Sequence, residues 1–123
     1  MRFAEHFQDG GMGVIATAGS GGEVNTAVYA VPQIIDEETV AWGMTEGRTY
    51  RFAKENPHAS YIYFSAGGQG KGVRLTLSLK NIESSGKMLE KIRARASETV
   101  NPQAGAAVKY VAYFRVVETR PLL

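Results

Sequence analysis

The stretch that decides how this chain is read runs Trp42-Gly43-Met44-Thr45-Glu46-Gly47-Arg48-Thr49-Tyr50-Arg51-Phe52-Ala53-Lys54-Glu55-Asn56-Pro57. Its first three residues end a strand. A turn follows, and a short helix begins at Arg48-Thr49. Pro57 closes that helix, because the residue before a proline is pushed out of the helical region. A helix start offers unpaired backbone N–H groups and positive potential. Arg48 adds a planar guanidinium and Thr49 a hydroxyl. Together they describe a site for a dianionic phosphate monoester. A capped surface helix whose arginine faces water is the competing reading of the same residues.

Strands dominate on both sides of this segment. Upstream, Arg2 to Asp9 is a short amphipathic helix with Phe3 and Phe7 on one face. Gly10-Gly11 stops it. Gly13 to Ala18 is a first strand, Gly19 to Gly22 a hairpin turn and Glu23 to Val31 a second strand. Val24, Thr26 and Val28 lie on one face of that strand, and Asn25, Ala27 and Tyr29 on the other. Pro32 marks an edge or bend. A second hairpin pairs Ile34-Ile35 with Thr39 to Trp42 around Asp36-Glu37-Glu38, an acidic tip that reads as solvated.

Downstream, Ala59 to Phe64 is a strand and Gly67 to Gly72 a glycine-rich loop. Val73 to Lys80 alternates strictly, with Val73, Leu75, Leu77 and Leu79 apolar and the residues between them polar. That is a half-buried strand. Ser84 to Ser97 is an amphipathic helix whose Met88, Leu89, Ile92 and Ala96 share one side, with a basic stripe of Lys87, Lys91 and Arg95 on another. Asn101-Pro102 breaks it, and Ala106 to Glu118 is a long last strand, apolar on both faces. A subunit interface covering the second face is the economical explanation.

The count is six to seven strands with three short helices, and strands do not alternate with long helices. The expectation is a mainly β fold: a split antiparallel β-barrel, Greek-key-like, in one domain over 1–123. Closure of such a sheet removes exposed edges. At 123 residues and 44% hydrophobic content the chain has material for one core. With no cysteine it has no thiolate metal site and no thiol chemistry. The N-terminus has no leader-like apolar run and no stretch approaches a membrane span, so a cytoplasmic protein is expected. The first 60 residues carry a net charge of −4 and the rest +6, leaving +2 overall. That is weak support for a nucleic-acid partner.

Few residues suggest catalysis. His6 and His58 are 52 positions apart without ligands at helical spacing, so no metal site is expected. No serine sits in a G-x-S-x-G elbow. Gly67-Gly68-Gln69-Gly70-Lys71-Gly72 lacks the Ser or Thr that a Walker loop places after its lysine, and it leads into a strand. It remains a loop that presents Lys71 beside backbone N–H groups, able to touch an anion.

Taken in order, these pieces resemble the FMN-binding split-barrel family, the superfamily that includes pyridoxamine 5′-phosphate oxidase, and especially its small single-domain members. The pieces are the short helix before Gly13-Val14-Ile15-Ala16-Thr17, then Val24-Asn25-Thr26, Trp42-Gly43-Met44, and the Arg48-Thr49 to Asn56-Pro57 helix. Gly70-Lys71-Gly72, the alternating strand, the helix 84–97 and the last strand follow. One departure stands out: Phe52 occupies a position where that helix usually carries Asn. The resemblance implies FMN as cofactor. It places Arg48 and Thr49 on the phosphate, and Asn25, Thr26 and Ala27 beside the flavin. Gly43, Met44 and Thr45 would offer main-chain contacts along it. Lys71 and Gly72 would reach the cofactor across the interface of a homodimer. The implied function is an electron carrier or small flavin-dependent oxidoreductase, with a redox partner protein and no membrane association. No catalytic residue is named. The alternatives are a pyridoxamine-phosphate-oxidase-type enzyme with a second phosphate site at Arg74 or Arg115, a nucleic-acid-binding barrel using Tyr61 and Tyr63 as a stacking platform, and a structural dimer without cofactor.

Overall fold

The computed structural model describes residues 3–7 and 10–123. A 3₁₀ turn, Phe3–Phe7, precedes seven strands and three α-helices. The strands are β1 (Met12–Ala18), β2 (Val24–Tyr29), β3 (Gln33–Ile34), β4 (Thr39–Met44), β5 (His58–Phe64), β6 (Gly72–Glu83) and β7 (Tyr110–Pro121). The helices are α1 (Arg48–Glu55), α2 (Lys87–Thr99) and α3 (Pro102–Ala107). The strands form one antiparallel sheet in the order β2-β1-β5-β6-β7-β4-β3. The sheet curls into a split β-barrel whose two end strands, β2 and β3, do not pair with each other. The mainly β architecture follows the alternation in the sequence.

Alternate residues of each strand point into the barrel. Ile15, Tyr61, Tyr63, Val73, Leu75, Leu77, Val40, Trp42, Met44, Ala112 and Phe114 fill it, and Phe3 and Ala53 close it from the turn and from α1. Phe7 meets Tyr63 edge-on with ring centres 5.1 Å apart, so the pair of phenylalanines read from the sequence does anchor the N-terminal turn. The expected helix from Arg2 to Asp9 is a 3₁₀ turn over its described part; Arg2, Gln8 and Asp9 lie outside the described residues. At Gly13 the absent side chain matters. A Cβ there would sit 1.9 Å from the Tyr61 hydroxyl oxygen. That hydroxyl bonds the carbonyls of Tyr29 (3.2 Å) and Ala30 (3.1 Å).

The C-terminal third differs from its sequence reading in one element. Asn101-Pro102 ends α2 but also starts α3. The Asn101 side chain accepts from the Ala104 N–H at 2.8 Å, and Pro102 occupies the first turn, where its missing N–H costs nothing. The last strand therefore begins at Tyr110 rather than Ala106. Its two apolar faces are both covered within the chain along the first part of the strand, while Val117 further on stays exposed. Ala112 and Phe114 enter the barrel, while Val111 and Tyr113 lie under α2 with Ala41, Leu89, Ile92 and Val108. Helix α2 thus covers the first part of that second face and leaves Val117 open. Four further exposed apolar side chains share the outer face of β2-β1-β5: Val24 (81% exposed), Val28 (70%), Met12 (60%) and Phe64 (45%).

Two substitutions test this packing. Gly13→Ala is expected to lower unfolding free energy by about 1–3 kcal/mol, the cost of overfilling a packed core. Tyr61→Phe, which removes only the hydroxyl, is expected to lower it by about 1 kcal/mol. Urea denaturation followed by Trp42 fluorescence measures both, and equal stability of Gly13→Ala and wild type would refute the packing argument.

Candidate functional site

Helix α1 starts without a side-chain cap. Its N-cap residue is Gly47, in an extended conformation, which offers no side-chain cap to the first free N–H groups. The first turn holds no acid. Glu46, just before the helix, accepts from the Tyr110 hydroxyl at 2.9 Å, beside the first turn of α1. Arg48 stands exposed at this open end. The positive end of the helix dipole and the Arg48 guanidinium thus coincide, and among the described residues Arg48 makes no salt bridge.

Behind the helix start lies a small polar cluster. The Asn25 Nδ2 group donates to Thr49 Oγ1 at 3.0 Å and to Thr17 Oγ1 at 3.3 Å. Thr17 and Thr49 are both buried. The Tyr29 hydroxyl is also a hydrogen-bonding neighbour of Thr49, and burial pushes its pKa up to about 12, partly offset by that contact. Asn25, Ala27 and Tyr29 face inward from β2, as the alternation predicts, and the hairpin register sets Asn25 opposite Thr17. Thr17 is a site residue that the sequence reading passed over. The signal was available: once Gly19 to Gly22 is taken as the turn, Thr17 and Asn25 fall opposite one another.

The remaining expected residues divide. Thr26 projects from the other face of β2 and is exposed. Met44 is buried in the barrel core at 1% exposure. Gly43 is explained by packing: a Cβ there would meet Ile92 at 2.6 Å and Val108 at 2.9 Å, so the small residue lets α2 approach β4. Thr45 is exposed in the loop before α1. Lys71 and Gly72 lie at the other end of the sheet. Gly72 pairs with Phe64, which pairs with Met12, whereas Asn25 pairs with Thr17. Five strand residues separate the two levels, roughly 17 Å. Within one chain, Lys71 and Arg48 therefore do not meet on one small ligand. Lys71 instead borders a separate cleft of about 420 Å³ with Glu5, His6 and the C-terminal residues.

The departure at Phe52 has a local account. Its ring lies against the β1–β2 turn, 3.2 Å from where a Cβ on Gly19 would be. One turn further on, Glu55 Oε1 accepts from the Ser20 N–H at 2.9 Å and from the Ser20 hydroxyl at 3.2 Å. The turn is thus held to α1 by ring packing and a carboxylate. Beside the helix start, Tyr50 and Tyr110 stack in parallel at 3.8 Å, with the Lys54 ammonium 4.6 Å from the Tyr50 ring centre.

One alternative loses its stacking residues. Tyr61 and Tyr63 are fully buried in the barrel and offer no face for stacking on bases. Arg74 and Arg115, each named as a possible second phosphate site, lie opposite Arg120 and Ser78, at different levels of the β6–β7 ladder. A further cleft of about 240 Å³ opens where the barrel is split. Tyr29 and Val31 form one wall, Trp42 and Gly43 another, and Ile92 and Arg95 of α2 a third. Among the described residues no group of three or more histidines or acids is placed to hold a metal, and no helix is long and apolar enough to cross a membrane.

Raised tyrosine pKa values give a pH test of this region. Tyr29 keeps its proton in the folded chain above the ordinary value of 10, and so does Tyr113, also at about 12, because of burial and its bond to Glu83. The folded state then binds more protons than the unfolded one between pH 10 and 12. Its stability is complete below pH 10 and falls as pH rises through that window. Tyr29→Phe is expected to flatten the fall, as measured by urea midpoints from pH 9 to 12.

No protein-family model matches the chain, and no curated protein matches it in sequence. Solved structures do match it in fold. An FMN-binding protein from Syntrophomonas wolfei superposes with a TM-score of 0.79 at 19% identity, covering 99% of this chain and 82% of that one. A protein from Listeria innocua described as resembling pyridoxamine 5′-phosphate oxidase gives 0.71 at 15%, covering 98% and 91%. The heme storage protein HutZ from Vibrio cholerae gives 0.67 at 14%, covering 98% and 95%. At these identities the likeness is one of fold: over nearly its whole length the chain carries the split-barrel architecture that these FMN-, oxidase- and heme-related proteins share.

Proposed function

We propose that the chain binds FMN and serves as a small flavoprotein, an electron carrier or oxidoreductase working as a homodimer. The observation that carries this reading is the uncapped start of α1, where free N–H groups, the Arg48 guanidinium and the Thr49 hydroxyl come together. A phosphate monoester fits such a set, since it brings the two negative charges and the acceptor oxygens that the helix end lacks. The fold shared with an FMN-binding protein supports the same choice of ligand. Arg48 and Thr49 would hold the phosphate. The flavin would run from there along β2 toward Ala27 and the loop at Thr45. FMN, when bound, supplies one- and two-electron redox chemistry. The protein's part is to bind it, orient it and shield it from water.

The cleft at the split favours an oxidoreductase over a bare electron carrier. Its walls are mostly apolar, it adjoins Tyr29 and Gly43, and Arg95 stands at its rim. A small planar organic molecule with one negative charge suits that lining. The outer face of β2-β1-β5 suits a second copy of the chain. Val28, Val14 and Ile62 lie in register across it, flanked by the exposed Met12, Val24 and Phe64. In such a dimer Lys71 would belong to the partner's site rather than its own.

Purified protein mixed with FMN and desalted is expected to keep flavin absorption, and Arg48→Ala is expected to weaken FMN binding about ten- to hundredfold, the loss of charged hydrogen bonds. A wild-type protein that keeps no flavin would sink this reading. Light scattering tests the dimer separately. Val28→Glu is expected to give monomers where wild type gives dimers, because it sets a charge in the centre of the apolar face.

A further inference from the structure

We propose that the cleft at the split and a row of cations on α2 form one nucleotide site, with the base in the cleft and a diphosphate along Arg95, Lys91 and Lys87. The ligand class is a nucleotide that carries a diphosphate, free or within a dinucleotide. This deepens the reading of the cleft as a substrate site and needs no flavin at α1.

The cleft measures about 240 Å³. Sites that enclose a drug-sized ligand start at roughly 300 Å³. This one takes a single ring system and leaves the rest of a longer ligand outside. Its lining suits a flat, weakly polar ring. Tyr29 and Trp42 bring aromatic surface, and Val31 and Ile92 aliphatic surface. Gln33 of β3 lines it with an amide, whose two donors and one acceptor match the polar edge of a base or a carboxamide.

What lies outside the cleft is set by helix geometry. Residues four apart on a helix turn by about 40° and rise about 6 Å. The row Lys87, Lys91, Arg95, Thr99 therefore slants around α2. It starts at Lys87 and Lys91, both exposed, and ends at Arg95 and Thr99, which line the cleft. Its three cations lead away from the cleft mouth over roughly 12 Å. Among the described residues none of the three makes a salt bridge. Of the two acids on α2, Glu90 faces Arg93 at 3.8 Å and Glu98 lies past Arg95, beyond the end of the cation row. One carboxylate on the ligand would need Arg95 alone. Three unpaired cations in a line, joined at one end to an apolar cleft, match a ring that carries a chain of negative charges. An acidic protein surface would use the cations and leave the cleft idle.

The experiment is calorimetric titration of the full chain, without FMN, with ADP, NADH, AMP and inorganic pyrophosphate. ADP and NADH are expected to bind about tenfold more tightly than AMP or pyrophosphate, since only they occupy both the cleft and the row. The tighter of the two names the source of the diphosphate. Replacing Lys87 and Lys91 together by Ala is expected to weaken ADP about tenfold and to leave AMP within about twofold. Ala96→Leu, which fills the cleft, should weaken ADP and AMP alike and spare pyrophosphate. Gln33→Ala, which overfills nothing, should do the same to a smaller degree, about threefold. Pyrophosphate bound as tightly as ADP would reduce the row to a surface for acidic partners and overturn the inference. So would equal losses of ADP and AMP in the lysine variant, or no ADP binding at millimolar concentration. Arg48→Ala is expected to leave ADP within about twofold, and a loss of ADP there would also overturn it. A chain that keeps no FMN yet binds ADP would sink the FMN reading alone.

Discussion

The carbonyl of Ala30 holds the two ends of the sheet together. It accepts from Trp42 Nε1 at 2.8 Å and from the Tyr61 hydroxyl at 3.1 Å. Beyond the short β3 no backbone ladder joins β2 to β4, so these side-chain bonds do what strand pairing does elsewhere in the barrel. Both donors come from large aromatic residues that also fill the core. Trp42 and Tyr61 lie 4.7 Å apart between ring centres, and Phe114 meets Trp42 at 5.8 Å. A carbonyl that accepts two such bonds is well satisfied where no strand ladder pairs it. The arrangement keeps the barrel split yet firm.

The site depends on that tie. Asn25 lies five residues before Ala30 on β2, and β2 is an end strand with a single neighbour. Were its C-terminal end loose, Asn25 could not hold a fixed distance to Thr49 on α1. The other end of the strand is fixed by the turn, where Glu55 and Phe52 of α1 grip Ser20 and Gly19. Helix and hairpin thus brace each other on both sides of the polar cluster. Functional sites built on braced elements hold their geometry better than sites on free loops.

The same layout separates two roles that lie close together in sequence. Gly43 serves α2 packing, Met44 fills the core and Thr45 faces solvent, although the three are consecutive. The period of a strand sends neighbours to opposite faces, and only the layers on each side decide what those faces meet. Thr26 diverges from Asn25 and Ala27 for the same reason. The second apolar face of β7 shows the converse. From sequence it pointed to a partner subunit; within the fold α2 covers Val111 and Tyr113, because a long amphipathic helix placed before the strand can fold back over it, and Val117 stays exposed.

Local rules settled much of this protein from its residues alone. The alternation of Val73 to Lys80, the glycine turns and the start and stop of α1 at Arg48 and Asn56-Pro57 are short-range effects, carried by side-chain period and backbone preference. They determined the strands, the mainly β class, and the anion-ready end of a helix. The Asn25–Thr17 pairing was also within reach, since it follows from one hairpin register. Three features were settled by tertiary structure alone. Thr49 meets Asn25 across 24 positions, Lys71 stands at the far end of the sheet from Arg48, and two aromatic side chains close the split on one carbonyl. Each depends on which strands become neighbours, and strand order is set by how the whole apolar surface is buried rather than by any one segment's pattern.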